Sequence, residues 1–136
     1  RHYRAGQARR LMALSKSFEA FAVDLFSGLQ SADFGPIRVK RMFGGALAYA
    51  GDHGFALLDD EAIWIKVDAQ SEAAFEAQGC PRFTYPMKDG RMMDMAYRRL
   101  PEAALDDAQE ACRWARLGIE AAMRKAKSKK PKKDKV

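Results

Sequence analysis

IRVKRMFGGALAYAGDHGFALLDDEAIWIKV, residues 37–67, is the stretch that decides the fold. From Ile37 to Phe43 apolar and basic residues alternate. Ile37 and Val39 point to one side, joined by Phe43 if the alternation runs on, and Arg38, Lys40 and Arg41 break the pattern toward solvent. This is the period of a half-buried strand. Gly44-Gly45 interrupts, and Ala46 to Ala50 resumes. Gly51-Asp52-His53-Gly54 is turn chemistry, after which Phe55 to Leu58 and Ala62 to Val67 flank the polar Asp59-Asp60-Glu61. The stretch reads as an antiparallel meander of three or four strands.

Working outward, Phe18, Phe21, Ala22, Leu25, Phe26 and Leu29 form the stripe of an amphipathic helix, with Ser15 or Ser17 as N-cap and Asp33 to Pro36 ending it. On the other side, Ala69 to Gln78 carries Ala73, Ala74 and Phe75 on a short helix, and Gly79 stands where a left-handed C-cap falls. Phe83 to Met87 and Met92 to Tyr97, joined by Lys88-Asp89-Gly90, predict a hairpin. Leu100-Pro101 closes the strands. From about Asp107 to Lys127, Ala111, Trp114, Ala115, Ala122 and Met123 recur at helical spacing. Strands in groups with helices between them predict an α+β fold of two layers with one mainly antiparallel sheet. The expected core between helices and sheet is Phe18, Phe21, Leu25, Trp64, Ile65, Phe75 and Trp114.

The chain of 136 residues has the size of one domain, and no linker divides its middle. Its net charge of +6 is unevenly spread. Residues 124–136 hold eight Lys/Arg against one Asp and residues 1–10 hold four Arg and no acid, which leaves residues 11–123 at −5. The organisation expected is a leader or flexible N-terminus over 1–14, a domain over 15–123 and a basic C-terminal tail over 124–136. The tail repels itself and contains Pro131, so it is expected to be disordered. Short apolar runs exclude a spanning helix. The absence of a signal-like opening, and two distant cysteines, Cys80 and Cys112, predict a cytoplasmic protein.

The ordered motifs Val39-Lys40-Arg41-Met42-Phe43-Gly44-Gly45, Phe55-Ala56-Leu57, Lys66-Val67-Asp68, Phe83-Thr84-Tyr85, Met95-Ala96-Tyr97, Leu100-Pro101 and Trp114-Ala115-Arg116 resemble the N-terminal domain of the TfoX/Sxy competence-regulator family. The resemblance covers roughly Ser15 to Met123. It implies an α-β(3)-α-β(2)-α topology similar to secretion chaperones. It also implies a link to transcriptional or competence (DNA-uptake) regulation, without the family's C-terminal DNA-binding-like domain. Many relatives carry a third glycine soon after the Gly-Gly pair, where this chain has Leu47.

Residue chemistry points away from catalysis. His2 and His53 are the only histidines, the acidic pairs read as solvated turns and a helix start, and neither cysteine belongs to a close-spaced pair. No catalytic residue, metal or cofactor is expected. Gly44-Gly45 lacks a helix behind it and reads as a bulge or sharp bend in a long strand rather than a phosphate cradle. Arg38, Lys40 and Arg41 beside Gly44 and Gly45 are candidate contacts for an anion or a partner. Met92, Met93 and Met95 suit an adaptable partner surface or a core gap equally. Arg124, Lys125, Lys127, Lys129, Lys130, Lys132, Lys133 and Lys135 are candidates for nonspecific nucleic-acid contact through counterion release. The expectation is a non-enzymatic regulatory or adaptor domain with a protein partner, transcription machinery among the candidates. The alternative is a small enzyme or ligand-binding protein with a pocket near Gly44-Gly45.

Overall fold

The computed structural model describes residues 15–31, 34–42, 45–59 and 61–134. Helix α1 (Lys16–Leu25) starts where the Ser15 side chain accepts a hydrogen bond from the Phe18 amide at 3.1 Å, one of the two caps read from sequence. A short 3-10 turn (Ser27–Ser31) follows. Strands β1 (Ile37–Met42), β2 (Gly45–Ala50), β3 (His53–Asp59) and β4 (Ala62–Lys66) form the meander. Helix α2 (Glu72–Ala77) precedes the hairpin of β5 (Arg82–Pro86) and β6 (Met92–Arg99). A 3-10 turn (Glu102–Asp106) leads into α3 (Ala108–Asp134). The first group therefore has four strands, one more than the resemblance implies and the larger of the two numbers the spacing allowed.

All six strands join one antiparallel sheet in the order β1-β2-β3-β4-β6-β5. The fold is α+β, as the grouping of strands and helices predicts. Gly44-Gly45 does not bend one long strand. Met42 pairs with Gly45, so the chain reverses there and β1 and β2 are the arms of a hairpin. The φ of Gly45 lies outside the left-handed region, but a β-carbon on it would stand 2.4 Å from the Leu58 carbonyl oxygen. Close backbone approach, not an unusual φ, is what requires glycine here. Gly79, by contrast, has the left-handed φ of +72° expected after α2.

Helices cover one face of the sheet. Alternation delivers Ala46, Ala48 and Ala50 from β2, Ala56 and Leu58 from β3, and Ile63 and Ile65 from β4 to a single buried cluster with Phe26, Leu29, Phe75, Ala111, Ala115 and Ile119, and a register shift in β3 opposite Ala48 and Tyr49 adds Phe55 to it. Phe26 meets Phe55 edge-on at 5.3 Å between ring centres, and Phe75 of α2 packs 4.7 Å from Trp114 of α3. Gly118 lets α3 lie close: a β-carbon there would come within 2.7 Å of Ile65 and 2.9 Å of the Phe55 carbonyl.

Two expected core residues are elsewhere. Phe21 is 40% exposed on the outer side of α1, and Trp64 lies on the opposite face of the sheet, 4.9 Å from Phe83. Its neighbours in β4, Ile63 and Ile65, are buried toward the helices, so pleating turns Trp64 away. The remaining five, Phe18, Leu25, Ile65, Phe75 and Trp114, belong to the helix-side core or pack against it.

Candidate functional site

Among the described residues, no helix is long and apolar enough to cross a membrane, and no group of three or more His, Cys, Asp or Glu could hold a metal ion. Burial pushes the thiols of Cys80 and Cys112 up, away from the reactive thiolate. What stands out is the sheet face that the helices leave uncovered.

Strand pairing fixes its composition. Lys40 pairs with Leu47, Leu47 with Leu57, Leu57 with Trp64 and Trp64 with Arg99, a row across β1, β2, β3, β4 and β6 with a cation at each end and apolar side chains between. On the adjoining row Arg38 pairs with Tyr49, and Lys66 with Tyr97. Three of these four cations lie over a ring: Arg38 at 4.8 Å from the centre of Tyr49, Lys66 at 5.2 Å from Tyr97 and Arg99 at 5.4 Å from Trp64. Burial, with Tyr49 nearby as a lesser cause, pushes the Tyr97 phenol above its ordinary value and keeps it neutral. The Trp64 indole nitrogen is buried and has no hydrogen-bond partner among the described residues. Leu47 has space because Gly54 across the strand has no side chain; a β-carbon on Gly54 would be 2.9 Å from it.

At the β1–β2 end this face opens into a groove of about 280 Å³ lined by Met42, Gly45, Leu57, Asp59, Phe83, Tyr85 and Met95. Tyr85 is 53% exposed on the edge strand β5. Thioethers and aromatic rings make the lining apolar and adaptable, and Asp59 is its ionisable carboxylate. A second, more open depression of about 570 Å³ lies on the helix side between His53 and the Glu120–Lys127 stretch of α3.

The structure separates the cationic residues singled out in the sequence. Arg38 and Lys40 are on the uncovered face, but Arg41 points to the helix side and forms a 2.6 Å ion pair with Glu19 of α1. Gly45 lines the apolar groove; Gly44 lies outside the described residues. Arg124 is held in the domain, with Nε 2.6 Å from Asp68 Oδ2 and Nη2 2.8 Å from Oδ1. That guanidinium, aided by the Gln70 and Ser71 amides, pulls the Asp68 carboxyl down to about 2. Where the sequence predicts disorder beyond it, α3 instead continues to Asp134. Lysine and alanine are good helix formers, and a helix already fixed by packing propagates at little cost as far as Pro131, whose missing amide costs the last turns one hydrogen bond. Lys125 and Lys127 are exposed on it; Lys129, Lys130, Lys132 and Lys133 follow on the same helix, and Lys135 lies outside the described residues.

Sequence reading offers a pocket near Gly44-Gly45 only as an alternative and does not find its lining, because Met42, Leu57, Phe83 and Tyr85 are far apart in the chain and each fits an ordinary strand. Met95, one of the three methionines that suit a partner surface, lines the groove. A usable signal was present in the meander, where Leu57 and Leu58 are both apolar, so one of them had to face away from the helix-side core.

Residues 29–122 match the family described as the TfoX N-terminal domain. The chain belongs to that family. The match falls within the span over which the motifs were recognised and includes every strand, α2 and most of α3. A search among curated proteins finds no match. Within the TfoX N-terminal domain, then, the helix-side core carries the folding pattern, and the uncovered face carries the groove and the ring-stacked cations.

Proposed function

We propose that this TfoX N-terminal domain is a non-enzymatic regulatory adaptor that acts by binding a protein partner through its uncovered sheet face, in the transcriptional or competence regulation the family suggests. The observation that carries the reading is the asymmetry of the sheet. Three helices bury one face, and the other keeps an apolar groove open beside stacked cations. A face of this kind is an interaction surface rather than ordinary solvent-facing sheet. The basic end of α3, from Lys125 onward, adds nonspecific attraction to nucleic acid.

The test is affinity isolation of the native protein from its own cells, with and without nuclease, beside a Met42→Ser/Tyr85→Ser double variant. A partner retained after nuclease treatment by the natural protein and lost by the variant is the expected result. A partner lost on nuclease treatment alone would transfer the activity to the basic helix.

A second reading, a small-ligand site near Gly44-Gly45, has one observation in its favour: the groove does include Gly45. Its lining argues for an apolar guest rather than a reaction. The described lining around Asp59 is made of thioethers, a leucine, a glycine and aromatic rings.

A further inference from the structure

We infer that the partner segment recognised by the uncovered face is acidic with a bulky apolar anchor: the anchor enters the groove at Met42, Tyr85 and Met95, and carboxylates on either side meet Lys40 and Arg99. The inference rests on the protein-binding reading above and specifies the chemistry of the guest.

Charge carries the argument. Residues 11–123 have a net charge of −5, yet the described strand positions of this face hold Arg38, Lys40, Lys66 and Arg99 against Asp59, with Arg38 reaching a turn carboxylate, Asp52 at 3.9 Å, across an exposed gap. Cations have been gathered on one face of an acidic domain. They do not serve the helix-side packing, where Arg41, Arg98 and Arg124 are matched by Glu19, Glu72 and Asp68. A second copy of the chain is a poor occupant, since stacking this face on itself opposes like charges.

Geometry adds a spacing. Leu57 lines the groove and lies midway in the row from Lys40 to Arg99, two strands from each. At strand spacing each cation is about 10 Å from Leu57, the reach of roughly three residues of extended chain. The expected segment therefore places an acid about three positions to each side of its anchor. Single-stranded nucleic acid fits less well. Stacking needs open ring faces, and of the described aromatic residues on this face only Tyr85 is largely exposed; Tyr49, Trp64 and Tyr97 already lie under cations.

The test uses the full chain, labelled for amide NMR, and three synthetic peptides with a Leu-Phe anchor in a Ser/Gly background, flanked three residues away on each side by glutamate, serine or lysine. A thymidine decanucleotide serves as a fourth probe. The glutamate peptide is expected to shift the amides of Met42, Leu57, Tyr85 and Met95 and to weaken with salt. Lys40→Gln/Arg99→Gln should lower its affinity about five-fold and Tyr85→Ala about ten-fold, with the helix amides unmoved. Equal binding of the serine or lysine peptide at the same amides would overturn the acidic specification and leave the protein-binding reading standing. Oligonucleotide binding there in preference to peptide would overturn it in favour of nucleic acid. Concentration-dependent shifts of the same amides without any probe would do so in favour of self-association. No shift on the face with any probe would remove both the inference and the reading beneath it.

Discussion

Leu57 and Leu58 are the same residue type at adjacent positions of β3, and they belong to opposite regions of the molecule. Leu58 is fully buried under the helices with Phe55, Ile63 and Ile65. Leu57 lies half-buried in the groove of the uncovered face. The helix side is closed by size matching and by ion pairs at its rim, where Glu72 receives Arg82 and Arg98 and its carboxyl is held below the usual range, by Arg82 first. On the uncovered side Tyr49, Trp64 and Tyr97 serve instead as platforms for cations. Apolar content alone does not distinguish a core from a surface in this protein; what distinguishes them is whether a second layer is present to exclude water.

The largest expected effect tests that contrast directly. Leu58→Ala should cost about 2–5 kcal/mol, because the side chain is fully enclosed and the cavity cannot collapse against a strand ladder. Leu57→Ala should cost about 1 kcal/mol or less, since part of its surface is already in water. Leu25→Ala, at the α1 contact with the same core, belongs with Leu58. Urea unfolding of the three variants measures this, and equal losses at Leu57 and Leu58 would mean that the uncovered face is as structural as the covered one.

Most of the helix-side half was legible from sequence, because period 3.6 in the helices and period 2 in β1 directly encode burial against one layer. Phe18, Leu25, Ile65 and Phe75 were found that way. Trp64 was misplaced for a physical reason: a large aromatic residue signals burial, but does not say on which face, and β4 buries Trp64 against Phe83 rather than against a helix. The groove was hidden because it is assembled by register. Met42 reaches Leu57 and Tyr85 only after β1 folds onto β2 and β5 joins the sheet through β6. The Arg124–Asp68 pair spans 56 positions and has no local signature at all.

Glycines sharpen the comparison at an intermediate scale. At Gly45 a side chain meets the Leu58 carbonyl oxygen, a backbone atom that cannot step aside, and would also protrude into the groove. Gly45→Val should therefore cost about 1–3 kcal/mol by overpacking. Gly90 has a left-handed φ of +92° with nothing within 4 Å of its would-be β-carbon, so Gly90→Ala should cost only about 1 kcal/mol through backbone strain. Thermal melts rank the two; a larger loss at Gly90 would show that the hairpin turn, not the approach of β2 to β3, limits the sheet.

The rim of the helix side supplies a pH-dependent term. Asp68 has its carboxyl lowered from 3.8 to about 2, chiefly by the Arg124 hydrogen bonds, while desolvation opposes the shift. A depressed folded-state value means that the stabilisation is present above about pH 4 and is lost as pH falls through 4 toward 2. With roughly a third of both side chains open to solvent, screening reduces the contribution to about 1–2 kcal/mol. Asp68→Asn should be less stable than the natural protein at pH 7 and should converge with it near pH 2. Parallel stability curves across that range would assign the shift to a group other than Asp68.

The smallest effect on stability is expected from the basic end of α3, and there the comparison turns from packing to charge. Deleting Ser128 to Val136 removes five lysines, while the retained segment keeps Arg124 on Asp68 and Ile119 in the core. The melting temperature should hardly move. Binding to duplex DNA, weak and indifferent to sequence, should fall sharply at low salt, because each neutralised phosphate contributes a log–log salt slope of about −0.9. Fluorescence anisotropy of both forms with two unrelated duplexes across a salt series separates the sources of charge. If the shortened chain binds as before, the attraction comes from the uncovered face, where Arg38 and Lys40 are exposed and Arg41 is not available because it is paired with Glu19 on the other side. Lys40→Gln in the shortened chain would then lower the slope by about one unit, and the two cationic regions would have to be treated as one nucleic-acid surface. If instead the loss is complete, the face is left for an acidic protein segment and the helix end for DNA.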